Sequence, residues 1–381
     1  MNRRLVDVER ALSRAEADAL VDRLADELAE RYGVTEVELL LVDYRLSALL
    51  PLAGGEPVTR PGHPAWRCFD HQSEVLADGV LFLPVTMRGD RLGVLRLAPD
   101  SADDDEVRGE LADLATYLAH EIEAVRYSTD RYLMAARTRR LTLAAEMQWE
   151  LLPGRSRHRS SFALAGQLEP AYAVRGDSFD WADDGHRLWV SAVNGSGEGI
   201  AAATLTSLAT FALRNARRGG LALADQAALA DQAIYAHYRG DQSLAALLLD
   251  VDLATGVVTA VDAGSPKLLL LRGDEVSDVE LEPQLPLGMF DGTIYRPQTF
   301  ELEVGDRLFV VSDGVYDAAN QTGGRYGETA LTRFIRRSGR RSPLDAVRSL
   351  LGELRAHVAS DLADDAVVVC LDWTGPKVEG Q

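Results

Sequence analysis

RLFVVSDG, residues 307–314, sets the reading of the fold. A near-uniform apolar run that stops abruptly at Ser312-Asp313-Gly314 is the pattern of a strand buried on both faces, with an acid emerging at the sheet rim. LWVSAV ends the same way at Asn194-Gly195, residues 188–195, and DDAVVVCLDW, residues 364–373, is the mirror case in which two acids precede the strand. VRGDSFD, residues 174–180, adds Asp177 and Asp180 beside a glycine. Asp-Gly alone is a common solvated turn. Several such sites, each at the edge of a buried strand, point to an oxygen-ligand metal site. Carboxylate and carbonyl oxygens suit magnesium or manganese, whereas zinc calls for histidine or cysteine.

Around these motifs, strand patterns run over Phe162–Leu168, Leu188–Val193, Ala245–Val251, Val257–Ala263, Lys267–Arg272, Arg307–Val311 and Ala366–Asp372. Turn pairs at Asp184-Gly185 and Thr255-Gly256 favour antiparallel hairpins. Helical stretches Gly199–Arg217, Leu223–Tyr238, Glu328–Ile335 and Pro343–Ser360 are interleaved with them. Strand runs punctuated by helix pairs predict an antiparallel α+β layered fold rather than a doubly wound parallel one. Pro153-Gly154 followed by RSRHR marks the upstream boundary.

From Glu106 to Leu152 there is no proline and one glycine, Gly109, and apolar residues recur at spacings of three and four. Read as one helix, this stretch spans about 65–70 Å and leaves its own domain as a connector, paired with a second copy as a short coiled coil. The alternative is two or three stacked helices broken near Ser128 or Thr138. Ahead of it lie an amphipathic helix over Glu16–Tyr32 and strands over Val37–Asp43, Gly79–Met87 and Arg91–Ala98. The last two are joined by a turn at Arg88-Gly89-Asp90, and Ser101 with neighbouring acids opens the next helix.

The chain has 381 residues, and 40 basic against 59 acidic side chains give a net charge of −19. That balance disfavours nucleic acid or an anionic membrane as partner, because either is repelled at long range. Cys68 and Cys370 have no CxxC partner and read as reduced structural thiols. The charged N-terminus and the lack of a long uncharged apolar run lead to the expectation of a cytoplasmic chain without a membrane span. His63 and His71 flank a loop without ligand spacing, and Trp66 and Phe69 read as core or lid.

As a set, these motifs resemble the PPM-type, metal-dependent serine/threonine phosphatases, in the bacterial branch of the stage II sporulation protein E phosphatase and stress-response sigma-factor regulators. EMQWELLP resembles the branch's glutamine-containing helix. VRGDSFD resembles VGGDFYD, NGSGEGIAAA resembles DVSGKGVPAA, LPLGMF resembles LPLG, VVSDGVYDAAN resembles YTDGVTEARN, and DDAVVV resembles DDITLL. The resemblance implies an α-β-β-α sandwich over residues 155–381, holding two manganese or magnesium ions whose bridging water attacks a phosphoserine or phosphothreonine. Carried over, Asp177 supports the cluster, the Gly195 carbonyl binds one ion, and Asp313 and Asp364 bind the other. Asp365, Asp180 and Asp317 read as supporting residues, and Arg175 as a contact to substrate phosphate or a local ion pair. The implied substrate is a signalling phosphoprotein, by analogy an anti-sigma-factor antagonist.

One departure from the pattern outweighs the milder ones, which are Arg175 for a glycine, Glu198 for a frequent lysine and GSPK at Gly264–Lys267 for GHPP. Asn194 stands where the family has the aspartate that bridges both ions, and an amide offers one neutral oxygen in place of two anionic ones. The chain then reads as a weak or inactive pseudophosphatase acting by partner binding, as an enzyme with a rearranged metal site, or as a form substituted to trap a complex. Upstream, VLFLPVTMRGDRLGVLRLAPD and its acidic helix resemble GAF-type sensor domains. That implies a sensor or dimerisation domain over 1–125 with room for a small ligand, a helical connector over 126–154, and a homodimer formed through the connector.

Overall fold

A computed structural model describes residues 3–99, 104–138, 140–170, 174–339, 341–359 and 362–376. The chain divides into two compact units, Met1–Arg140 and Leu141–Gln381. The first contains α1 (Arg3–Leu12), α2 (Leu20–Tyr32), β1 (Val34–Val42), β2 (Leu49–Pro51), α3 (Pro64–His71), β3 (Val75–Ala77), β4 (Val80–Met87), β5 (Asp90–Pro99), α4 (Asp105–Ala124) and α5 (Arg131–Ala135). Its strands form one antiparallel sheet in the order β2-β1-β5-β4-β3. Leu39 and Leu41, Leu81 and Leu83, and Leu95 and Leu97 recur at the two-residue period that sends every second side chain to one face. There they join Leu24 and Leu28 of α2 and Leu111, Leu114 and Leu118 of α4 in one core. The β4–β5 hairpin turns at Arg88 and Gly89, both at positive φ, which matches strand twist. Trp66 and Phe69 are buried, and the His63 ring caps α3 by accepting the Ala65 N–H at 3.1 Å.

The stretch Glu106–Leu152 is not one helix. It forms α4, α5 and α6 (Leu143–Leu151), so the single long connector is corrected to three separate helices with breaks over 125–130 and 136–142. Hydroxyl side chains take up backbone N–H groups that a continuous helix would use. Thr129 Oγ1 accepts the Arg131 N–H at 3.2 Å, and Thr142 Oγ1 accepts that of Ala145 at 3.2 Å. Arg131 pairs with Asp22 at 2.7 Å and the Tyr132 hydroxyl donates to the Ala17 carbonyl at 3.1 Å, which binds α5 to the first unit. The apolar positions thus serve one helix of 20 residues and two short ones, and the coiled-coil dimer loses the continuous helix it rested on. Ser101 lies outside the described residues; Asp104 caps α4 by accepting the Glu106 N–H at 2.9 Å.

The second unit holds α6, β6 (Ser156–His158), β7 (Phe162–Glu169), β8 (Ser178–Asp183), β9 (Arg187–Gly195), α7 (Gly199–Arg218), α8 (Leu223–Tyr238), β10 (Leu244–Asp252), β11 (Val257–Ala263), β12 (Lys267–Arg272), β13 (Glu275–Asp278) and β14 (Gln298–Glu301). It continues with β15 (Arg307–Val311), α9 (Asp313–Tyr316), α10 (Thr332–Ser338), α11 (Pro343–Val358) and β16 (Ala366–Trp373). Two antiparallel sheets, β14-β11-β10-β9-β8 and β13-β12-β15-β16-β7-β6, face each other. β10 shows why the strands read as uniformly apolar. Leu247, Leu249 and Val251 pack between the sheets, while Ala246 and Leu248 pack outward against α7 and α8. With α11 on β7 and β16, the layers are helix, sheet, sheet, helix.

Candidate active site

In an antiparallel pair, the end of one strand adjoins the start of its neighbour. β8 and β9 pair Ser178 with Val193, so Asp177, just before β8, lies at the same edge as Asn194 and Gly195. β15 and β16 pair Val311 with Val368, which places Ser312-Asp313-Gly314 beside Asp364-Asp365. The sandwich then closes these two edges on each other. The Asn194 Nδ2 amide donates to Asp313 Oδ1 at 2.6 Å and to Ser265 Oγ at 3.2 Å.

Close approach requires glycine at two of these positions. A Cβ on Gly314 would sit 1.9 Å from the Asp365 carbonyl oxygen, and one on Gly195 would sit 2.9 Å from Thr206 Oγ1 and 3.2 Å from the Gly176 carbonyl. The Asp-Gly and Asn-Gly steps are therefore packing requirements as well as strand ends.

Asp177 is fully buried, and among the described residues neither carboxylate oxygen makes a hydrogen bond of good geometry, the Ser312 hydroxyl being a donor close enough to lower its pKa. Burial pushes its pKa well above the usual range, and repulsion from Asp365, Asp313 and Asp364 adds to this against a nearby Ser312 hydroxyl. Asp364, half-buried, is pushed up to about 6 by burial and then by Asp313, while the Arg175 guanidinium pulls the other way. Arg175 is itself exposed. The proposed supporting acids have partners. Asp365 Oδ2 accepts N–H groups from Arg175 at 2.8 Å, Gly176 at 3.0 Å and Gln148 Nε2 at 2.8 Å. Asp180 holds Arg214 and Arg217 at 2.9 and 3.2 Å, and Asp317 holds Arg325 at 2.9 Å.

Two features were visible in the sequence, the glutamine of EMQWELLP and the GSPK loop, but their contacts with the site were not assigned. Gln148 of α6 is fully buried and also donates to the Asp177 carbonyl at 2.7 Å, so the helix assigned to a connector is bonded to the site. Its partners are 29 and 217 residues away, and no local pattern announces them. The loop Gly264–Lys267 contributes Ser265, whose carbonyl accepts the Tyr316 hydroxyl at 2.9 Å, while the Lys267 ammonium lies 4.3 Å from the Tyr316 ring centre. The unusual GSPK sequence there was the available signal. Replacing Gln148 with leucine should cost about 1–3 kcal/mol in urea denaturation, because buried acceptors lose their donor.

The donor chemistry fits a hard divalent cation: a buried carboxyl side chain whose ionised form is disfavoured without a positive charge nearby, and further acids that repel it. It does not complete a two-ion centre. Asn194 occupies one oxygen of Asp313, and among the described residues no group of three or more His, Cys, Asp or Glu side chains is arranged to hold a metal ion.

Asp177→Asn offers a check on this electrostatic reading. A folded pKa above the unfolded value means that Asp177 contributes most stability below about pH 4, and that this contribution is lost as pH rises through the folded pKa. In chelator at pH 7, Asp177→Asn should therefore raise stability by roughly 1–3 kcal/mol. The gain should shrink toward pH 4. Thermal melts across pH measure both.

A two-sheet sandwich with helices on both outer faces and acids at one sheet edge defines a PP2C-type phosphatase fold. A sequence profile of the stage II sporulation protein E family matches residues 184–374, and the chain belongs to that family. Among solved structures, the PP2C phosphatase domain with a regulatory fragment of SpoIIE from Bacillus subtilis superposes with a TM-score of 0.50 at 18% identity, covering 57% of this chain and 65% of that one. The SiaA-PP2C domain of Pseudomonas aeruginosa gives 0.50 at 20% identity, covering 55% of this chain and 85% of that one. The chain thus spans just under two thirds of the SpoIIE chain it matches. No curated protein sequence matches it.

Proposed function

We propose that the second unit is a divalent-cation-dependent phosphatase acting on phosphoserine or phosphothreonine in a signalling protein, with activity weakened by Asn194. The observation that carries this reading is the convergence of four strand-end motifs at the rim of the sandwich, with the fully buried carboxyl of Asp177 among them. Asp313 and Asp364 would hold a magnesium or manganese ion, the Gly195 carbonyl would serve a second position, and Asp177 would support both. Such a cation lowers the pKa of bound water and offsets charge on phosphoryl oxygens, so no protein nucleophile is needed. Arg175, exposed and close enough to oppose in part the upward push on Asp364, would meet the substrate phosphate. By the branch's analogy the substrate is an anti-sigma-factor antagonist. The first unit would act as a GAF-like sensor, read out through α6 and Gln148. Among the described residues no helix is long and apolar enough to cross a membrane, which is compatible with a cytoplasmic setting.

A second reading is favoured by one contact. The bond from Asn194 to Asp313 occupies a ligand oxygen with an amide, as expected of a pseudophosphatase that binds its phosphoprotein without turning it over. Phosphate release from a phosphoserine protein in manganese, with Asp313→Ala as blank, separates the two. Release above the blank supports the enzyme; tight binding of the phosphoprotein without release supports the second reading.

A further inference from the structure

The first unit carries a basic cleft that the phosphatase reading does not use. Between α1 and α2 lies a cavity of about 530 Å³ lined by Arg10, Arg14, Arg23, Arg31, Asp7 and Glu27. Four guanidinium groups against two carboxylates leave a local charge of +2, in a chain whose total is −19. Glu27 is buried and takes Arg23 at 2.6 Å and Arg31 at 2.7 Å, which fixes both guanidinium planes from below. Asp7 lies 3.6 Å from Arg10 and 3.5 Å from Arg31. Among the described residues, the side chain of Arg14 makes no hydrogen bond or ion pair. A guanidinium carries five N–H donors, so two carboxylates leave most donors of this group unused.

We infer that this cleft binds a compact phosphate-bearing anion. Guanidinium forks match phosphate oxygens in pairs, and a strongly acidic chain attracts an anion only where positive charge is concentrated. Among the described residues, Ala11 and Ala15 are the only apolar ones lining the cleft, and none of its lining side chains offers a ring on which a nucleobase would stack. Recognition therefore rests on charge and oxygen geometry. Pyrophosphate should bind more tightly than phosphate, and ATP no more tightly than tripolyphosphate.

The test is calorimetry on the full chain in chelator with phosphate, pyrophosphate, tripolyphosphate and ATP, at about 50 and 200 mM salt. Pyrophosphate is expected to bind with a Kd below about 1 mM and more weakly at higher salt. The double variant R10Q/R14Q should weaken binding by about tenfold or more. Both side chains are exposed, so its melting temperature should stay unchanged; if it fails to fold, R14Q alone carries the comparison. R175Q, in the other unit, should leave binding intact. The inference is overturned by no heat up to about 10 mM pyrophosphate, by unchanged binding in the folded arginine variant, or by loss of binding in R175Q. ATP binding far above tripolyphosphate overturns the phosphate-only recognition.

Discussion

Asn194→Asp should raise the manganese affinity of the second unit by about 100-fold or more, since changes even to residues behind the ligands shift affinity by 10–100-fold. Asn194 donates to Asp313 at 2.6 Å, so a carboxylate in its place would set two anions at hydrogen-bond distance. Without metal that pair repels, and the variant should melt below the parent chain in chelator. With manganese the sign reverses, because a dication between the two oxygens turns repulsion into attraction. Titration calorimetry and paired melts with and without chelator measure both halves. Equal manganese affinity in the two forms would mean that position 194 is not a ligand position.

Gly314→Ala should be the most damaging single methyl in the second unit. Its Cβ would lie 1.9 Å from the Asp365 carbonyl oxygen and 2.7 Å from the carbonyl carbon, and neither atom belongs to a side chain that can rotate away. The loops bearing Asp313 and Asp364 would have to separate. The expected cost is about 3 kcal/mol or more in denaturant unfolding, at the upper end for overpacking. If Asp313 and Asp364 are ligands as proposed, metal binding should fall with it, since the two loops that carry them would move apart. Gly352 is a contrasting control: a Cβ there meets nothing within 4 Å, and alanine at that helical position should be tolerated or mildly stabilising.

What the chain revealed in advance was governed by period and by strand ends. Strands such as β10 and β15 are buried on both faces, so their apolar runs and the acids that stop them are visible without any partner. Asp180, Asp317 and Asp365 were read as supporting residues, and they hold arginine or backbone N–H partners, although Asp313 and Asp364 also accept N–H groups. The connector misled because α4, α5 and α6 share a helical period across their breaks, and the breaks depend on Thr129 and Thr142 capping rather than on proline or glycine. α1 was passed over although Leu5, Val8 and Leu12 carry a usable helical spacing within an otherwise charged segment. Gln148 and Ser265 reach the site through long-range closure of the sandwich, which periodicity does not encode.

The central claim is that these sheet edges form a divalent-cation phosphatase site lacking one charge at Asn194. Initial rates of p-nitrophenyl phosphate hydrolysis against manganese concentration test it most directly, for the chain, for Asn194→Asp and for Asn194→Asp with Asp313→Ala. The predicted result is saturable, manganese-dependent hydrolysis by Asn194→Asp, weaker hydrolysis by the chain itself, and loss of the gain when Asp313 is removed. No hydrolysis by Asn194→Asp at any manganese concentration, or an equal rate without Asp313, would contradict it.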